Sequence, residues 1–488
     1  MDHVPANERL TQPRVIYLSF ITAMFERYGY YIIGFLLTLY VKNVYNFSDA
    51  QAFAAFGLFT ALGYLTPAIG GWLADNYIGI KRCMGIGLIL EGTGYALLAI
   101  PTPNPIVFYT ALGSIIIGAG IFKTAPTNIL GRAYRKNDPR IDSGFTLYYM
   151  GINIGSLTSS IVAGSIQRAY GWHVPFLCAA IGLLLGLIWF AFFKHHALEM
   201  ESEAGRKPFS AAKWALTIAG SLIAIALFAY LMSNQLIANI GFYTGSAIVL
   251  LYFIYQIIVS PADERMKIAV CLILIFMAVI FFILYFQLYT SMDLFIERNV
   301  DRTIFGFQLP TVYFLGLNGL WIIILSPFYA WAYKALEKKG KDPSITTKFP
   351  LGILLISICF FTLTAAAKYF ANADATISFF WMVLSLFLYS AGELFTSALG
   401  VAMITRIAPA RLYGVMMGSW YLIAFALAAE LSGSVAELAS VPESAQADLH
   451  ASLAIYGTAF WKMGLMGLAM AAIGFFISPW LKKKAGIA

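Results

Sequence analysis

The sequence predicts an all-α integral membrane protein, on three observations: scarce charge, long apolar runs, and basic residues gathered in short loops between them. Charged residues are 11% of 488 positions, against roughly 25% in ordinary soluble domains, and mean hydropathy is +0.77. A soluble chain of this length could not clothe its surface with so few charges. Aromatic residues reach 16%, which suits Trp and Tyr belts at two membrane interfaces. The net charge of +8 does not signal nucleic acid, because no basic stripe with interleaved aromatics occurs. Cys83, Cys178, Cys271 and Cys359 are far apart, with neither metal nor disulfide spacing, and are expected to be buried apolar residues. The polar start Met1–Arg14 lacks a signal-peptide pattern, so the first apolar helix is expected to be retained.

A spanning helix needs about 20 mostly apolar residues. Runs of that kind occur at 15–41, 52–74, 84–101, 106–131, 143–167 and 173–194. Two more follow at 213–232 and 237–258. The last six lie at 266–292, 310–334, 349–370, 376–404, 411–438 and 455–481. The polar linker 194–213 and the shorter stretch 260–267 divide them into six, two and six. The expected organisation is therefore a six-helix bundle over 1–194, a linker with an inserted helix pair over 195–265, and a second bundle over 266–488.

Orientation follows from Lys and Arg, which are retained on the cytoplasmic side. With the N-terminus inside, that side receives Arg9, Arg14, Lys81 and Arg82, then Arg132, Arg135, Lys136 and Arg140. The linker, the later inside loops and the C-terminal Lys482–Lys484 bring the total to 24 of 32 basic residues. Outside lie only Lys42, Arg168, Arg298, Arg302 and Lys368. Both termini are expected in the cytoplasm.

Ionisable residues inside spans are costly, about 2.5–3.5 kcal/mol for Lys or Arg at a helix centre, and mark solute or ion paths. Glu26 and Arg27 sit mid-span in the first run, Lys123 in the fourth and Glu393 in the run 376–404. Cations on one half and an anion on the other suit a zwitterion. Arg27 and Lys123 would take a carboxylate, and Glu393 an ammonium. The alternative for Glu26, Arg27 and Lys123 is an ion-pair cluster that fixes helix register and binds nothing. Glu91 and Glu430 are expected to reach an interface or a local polar partner. Tyr30, Tyr31, Tyr148, Tyr149, Asn153, Asn318 and Trp420 are candidate pocket residues, although polar side chains also glue helices together.

At these residues the sequence resembles the proton-dependent oligopeptide transporters of the major facilitator superfamily, over nearly its whole length. The first-helix block is Glu26-Arg27-Tyr28-Gly29-Tyr30-Tyr31. The loop after the second run, with Gly71, Asp75, Gly79, Lys81 and Arg82, matches the superfamily pattern Gly-x-x-x-Asp-x-x-x-Gly with basic residues following. The fifth run reads FTLYYMGINIGSL, and FK, LN, GEL and ARLYGVMMGSW complete the set in order. The resemblance implies a fold of two six-helix bundles, here with an inserted pair typical of bacterial members (12+2 helices). It implies uptake of di- and tripeptides driven by a proton gradient, with no cofactor, in a bacterial inner membrane.

Carried over by that resemblance, Arg27, Lys123 and Tyr31 receive the peptide carboxyl end, and Asn153, Asn318 and Glu393 the amino end. Trp420 is a pocket aromatic. Gly71, Asp75, Gly79, Lys81 and Arg82 form a conformational latch, in which a carboxylate pairs with basic residues on a neighbouring helix end. The pattern also departs from the family. Ala23 stands where the family has an earlier Glu, and Phe286 precedes Gln287 where many members carry a carboxylate. Leu315 and Gly319 flank Leu-Asn in place of Gln and Pro, and Asp293 lies about two helical turns beyond Phe286. Glu26, Arg27, Lys123 and Glu393 are then the expected proton-coupling groups.

Such folds work by alternating access about a midplane site. The chain is expected to act as a monomer on a small zwitterion, with the bilayer and protons as its other partners. A transporter of a specialised metabolite, drug-like compound or siderophore is the second reading, and a non-transporting substrate sensor the third. An enzyme is not expected: no His-rich cluster or paired aspartates lie within spans, and no nucleophile elbow is evident.

Overall fold

The computed structural model describes residues 12–134, 140–341 and 343–485. Arg9, Arg135 and Lys136, counted above for orientation, lie outside the described residues, as does most of the polar N-terminal stretch.

Each expected run is helical. The first bundle's helices are α1 (Val15–Tyr45), α2 (Asp49–Asn76), α3 (Ile80–Leu98), α4, α5 (Ile141–Tyr170) and α6 (Val174–Phe193). Of these, α4 is Pro105–Lys123 continued past Thr124 as Ala125–Arg132. The inserted pair is α7 (Ala211–Ser233) and α8 (Gln235–Val259). Then come α9 (Ala262–Tyr285), α10 (Thr311–Lys338), α11 (Ile345–Tyr369), α12 (Phe379–Ile407), α13 (Tyr413–Ala436) and α14 (Leu449–Ala485). Short polar residues start several of them. Asn104 accepts from the Ile106 amide ahead of Pro105, Ser210 from Lys213 and Ser378 from Phe380, satisfying first-turn donors.

Eleven helices are long and apolar enough to cross a membrane by length and composition, among the described residues. The other three expected spans, α1, α3 and α5, are helices of 31, 19 and 30 residues. They miss the apolar mark for a chemical reason. α1 holds Glu26 and Arg27, α3 holds Lys81, Arg82 and Glu91, and α5 is rich in Ser and Thr. Two runs also differ in shape from plain helices. α9 passes through a 3₁₀ turn at Phe286–Tyr289 into Ser291–Asn299, and α13 is π-helical over Trp420–Leu427. The only strands among the described residues are two two-residue pairings in loops.

The chain divides into two compact units, Met1–Leu36 with Leu62–Asn234, and Leu37–Ala61 with Gln235–Ala488. Within the first, glycines let helices cross at backbone distance, as small residues do where lipid supplies no hydrophobic drive. Gly151 and Gly155 of α5 lie on the α1 backbone at Phe20 and Met24, and Gly182 and Gly186 of α6 lie on Tyr28 and Phe25. Gly70 of α2 meets the backbone of Gly120 in α4. Gly87, Gly94 and Gly118 line the crossing of α3 and α4, and α7 docks on α4 where Gly113 meets the Ile225 carbonyl. Within the second unit, Gly352 and Gly392 bring α11 and α12 together, while Gly464, Gly467 and Gly474 seat α14 against α11 and α9.

A valine at Gly70 would drive Cβ into the Gly120 backbone, and overpacking of this kind costs about 1–3 kcal/mol or more. Gly241 of α8 faces open space. Gly70→Val is expected to lower the thermal midpoint in detergent clearly, and Gly241→Val to leave it almost unchanged.

Candidate functional site

In the first unit the cationic candidates have different circumstances. Arg27 donates to Glu26 through Nε and Nη2, with Nε–Oε2 at 2.5 Å, and lies over the Tyr30 ring at 4.4 Å. Both partners of this ion pair are buried. Adjacent helical residues point away from one another, so each side chain must bend to meet. Gly155 of α5, close to the Arg27 Cβ, leaves the room. Lys123 is only half-buried, stands with its ammonium 4.5 Å from the Tyr64 ring centroid, and has no ion pair among the described residues. It therefore does not join a three-member ion-pair cluster with Glu26 and Arg27. Tyr31 is half-buried and stacks on Phe35. On α5, Tyr149 is 59% exposed, and Asn153 donates back to the Tyr149 carbonyl at 2.8 Å.

In the second unit Glu393 accepts from the Asn318 amide at 2.9 Å and from the Tyr285 hydroxyl at 3.4 Å. Asn318 also donates to Ser390 at 3.0 Å, and Tyr389 donates to the Tyr285 carbonyl at 2.5 Å. The carboxylate is half-buried and has neutral donors, yet no ion pair among the described residues. Trp420 opens the π-helical stretch and is 1% exposed, packed near Phe282, Phe349 and Phe425. Its indole occupies the space that a Cβ on Gly400 would take.

Both departures from the family pattern are filled by apolar packing. Ala23 is buried in a cluster with Ile16, Leu130, Tyr134 and Tyr148. Phe286 is buried against Phe282 and Tyr285. Gln287 beside it donates to the carbonyls of Ile283 and Ser432 and is fully enclosed. The expectation for Glu91 is corrected. It reaches no interface and no hydrogen-bond partner: the side chain is wholly buried, with both oxygens unpartnered, because α4 crosses directly over it at Gly118.

Asp75 accepts from Arg132 at 2.9 Å and from Asn128 at 3.0 Å, both on the end of α4. Lys81 and Arg82 instead face the linker. Glu201 accepts from the amides of Ile80 and Lys81 and lies 3.8 Å from the Lys81 ammonium. Arg82 donates to the Ile78 and Lys207 carbonyls and lies over the Phe209 ring. Gly79 has φ +96° and meets Gly205, a position only glycine fills without strain, while Gly71 has ordinary room beside Thr124.

Sequence reasoning missed a second charged centre, in the second unit. The Asp49 carboxylate is fully enclosed and accepts from Lys42 at 2.7 Å, from Arg298 at 2.6 and 2.9 Å, and from the Val441 amide at 3.0 Å. Arg298 also donates to Tyr456 at 2.8 Å. These residues tie the ends of α1 and α9 and the start of α2 to α14. No local motif announces the network, since Arg298, Val441 and Tyr456 lie hundreds of positions from Lys42 and Asp49. Lys348, counted with the basic loops, is likewise buried within α11, its ammonium 4.1 Å from the Tyr333 ring.

The sequence profile described as the POT family matches residues 81–453 of this chain. The chain belongs to the POT family. Its relatives in that family match it end to end. It is 36% identical over 472 residues to dipeptide and tripeptide permease A of Edwardsiella piscicida, covering 97% of this chain and 95% of that one. It is 37% identical over 475 residues to dipeptide and tripeptide permease B of Salmonella typhimurium, covering 97% and 96%. Among solved structures it is similar to a bacterial homologue of the human drug peptide transporters PepT1 and PepT2, with TM-score 0.85 and 31% identity over 96% of this chain and 99% of that one. Tetrameric PepTSo2 superposes with TM-score 0.86, 31% identity, and coverage of 96% and 98%. The two-bundle major facilitator fold with its inserted pair is thus the fold of this multi-pass membrane protein, and the family is one of transporters rather than enzymes.

Breaking an enclosed ion pair by removing one partner costs about 3–5 kcal/mol, whereas an exposed pair contributes about 0–1. Asp49→Asn is therefore expected to lower thermal stability far more than Asp75→Asn. Parallel melts of the two variants in detergent check this.

Proposed function

We propose that this chain imports di- and tripeptides across a bacterial inner membrane by alternating access, driven by protons. The single observation that carries the reading is a pair of unpaired charges at bilayer depth, the Lys123 ammonium in one unit and the Glu393 carboxylate in the other. A structural ion pair would have satisfied each charge within the protein. Half-buried and without a counter-ion among the described residues, each suits one end of a zwitterion. Lys123 takes the peptide carboxylate, aided by Tyr31, Tyr64 and Arg27 when Arg27 is free. Glu393 takes the ammonium, held in aim by Asn318 and Tyr285. The candidate aromatics Tyr30 and Tyr149 suit varied side chains because they offer area rather than a fixed pattern of donors, whereas Trp420, 1% exposed, is packed among Phe282, Phe349 and Phe425. The full-length likeness to proteins called dipeptide and tripeptide permeases supports this substrate class.

Proton coupling needs a group whose protonation favours one conformation over another. Glu26 meets that need, because its neutralisation would release Arg27 from the carboxylate that holds it among the described residues. Asp75 and Arg132 act as the latch on the side of the basic loops, and the Asp49 network fastens the opposite helix ends. The excess of basic residues in those loops supports cytoplasmic termini. Both charge sites lie on one chain, so a monomer suffices for the cycle. Ala23 and Phe286 favour a second reading, a transporter of a different small solute with altered coupling.

A charge-assisted hydrogen bond contributes about 1.5–3 kcal/mol, and each 1.4 kcal/mol is tenfold in affinity. Labelled dialanine should accumulate in proteoliposomes under an imposed proton gradient and be displaced by tripeptides but not by amino acids. Lys123→Ala and Glu393→Gln should each weaken apparent affinity by about tenfold or more. N-acetylated dialanine should compete poorly against the native protein, and equally poorly against Glu393→Gln. Normal transport by both variants would refute the site, and the absence of any peptide flux would favour the second reading.

A further inference from the structure

Glu91 is a carboxyl group that the cycle above does not use. It lies on α3, wholly buried, and neither oxygen has a hydrogen-bond partner. Its backbone touches α4 at Gly118, and the neighbouring Leu90 carbonyl accepts from Ser114 of α4. One turn along α3, Tyr95 is also wholly buried with an unpartnered hydroxyl. Its ring edge lies 3.2 Å from the point where a Cβ on Gly29 would stand, which sets this face of α3 against the stretch of α1 that carries Glu26 and Arg27. From α6, Leu183 closes the same corner against Gly29 and Gly92. The charged groups within electrostatic reach of Glu91 are Glu26 and Arg27, and the phenols are Tyr30 and Tyr95.

A carboxylate sealed from water with no donor and no free cation is far too costly to persist, so here Glu91 is held as the neutral acid. As a neutral filler, however, it is a poor choice. A leucine would pack this site without the cost of burying unpartnered polar atoms. What an acid offers that leucine lacks is the ability to release a proton, and the cation positioned to reward that release is Arg27. In this conformation Glu26 holds Arg27.

We propose that Glu91 is a second proton site of the transport cycle, exchanging ionisation with Glu26 around the single guanidinium of Arg27. Glu26 takes a proton from the side of higher proton concentration, and Arg27 loses its partner and turns to Glu91. The Glu91 carboxyl O–H bond breaks as the helices part, its proton leaving to water on the opposite side while the carboxylate forms the new ion pair. On the return, the Glu26 proton passes to Glu91 and Arg27 pairs again with Glu26. One proton crosses per cycle, with Arg27 charged throughout.

The proposal rests on the proton-coupled reading above, and one experiment separates the two. Gradient-driven uptake and counterflow, which needs no net proton movement, are measured for the native protein and Glu91→Gln in the same proteoliposomes. The native protein should respond to the gradient; failure there refutes proton coupling itself. Glu91→Gln should lose gradient-driven accumulation relative to its own counterflow. Accumulation equal to the native protein overturns the role of Glu91, and so does parallel loss of counterflow in a monodisperse, folded variant. If Glu91→Gln does not purify as folded protein, Glu91→Asp decides: an acid at this position should retain accumulation with a displaced pH profile, and an unchanged profile overturns the proposal.

Discussion

A charge placed in an apolar medium must find a counter-charge or enough donors, or else lose its charge. This protein obeys that constraint unevenly, and the unevenness organises the molecule. Asp49 has a complete set of partners, two cations and a backbone amide. Arg27 has one, its own neighbour Glu26. Lys123 and Glu393 have only neutral company, a tyrosine face for one and an amide with a phenol for the other. The first arrangement is a fastening; the others suit the releasable contact and the ligand-facing charges proposed above.

These arrangements exist because helices approach closely enough to place them. The GINIG stretch of α5 brings α1 to van der Waals distance, and its second glycine gives Arg27 room to bend toward Glu26. Gly392 does the same beside Glu393, drawing α12 onto α11 at Gly352. Lipid offers no hydrophobic reward for helix association, so close contact between small residues supplies the attraction instead. The glycines therefore serve packing and charge placement at once. The helices with the least apolar composition, α1, α3 and α5, are the ones carrying Glu26, Arg27, Glu91 and Asn153.

The departures from the family pattern also acquire a physical form. Ala23 and Phe286 are not gaps awaiting a proton group, since each lies in a filled apolar cluster. Yet the first unit holds another acid, Glu91, enclosed beside the same Glu26–Arg27 pair.

The helices, their order and their number were legible because hydropathy acts over local windows of about 20 residues. The block around Glu26, the polar loop at Asp75 and the GEL segment at Glu393 were legible because their residue types are costly at those depths. Which charges are paired was not. Asp49 meets Arg298 across 249 positions, Asn318 meets Glu393 across 75, and Glu91 is sealed by a glycine on another helix. The sequence by itself determined which segments enter the bilayer and which residues are expensive there, since both depend on transfer from water. Only the tertiary structure decided which of those residues find partners, because pairing depends on helix crossings that no local pattern encodes.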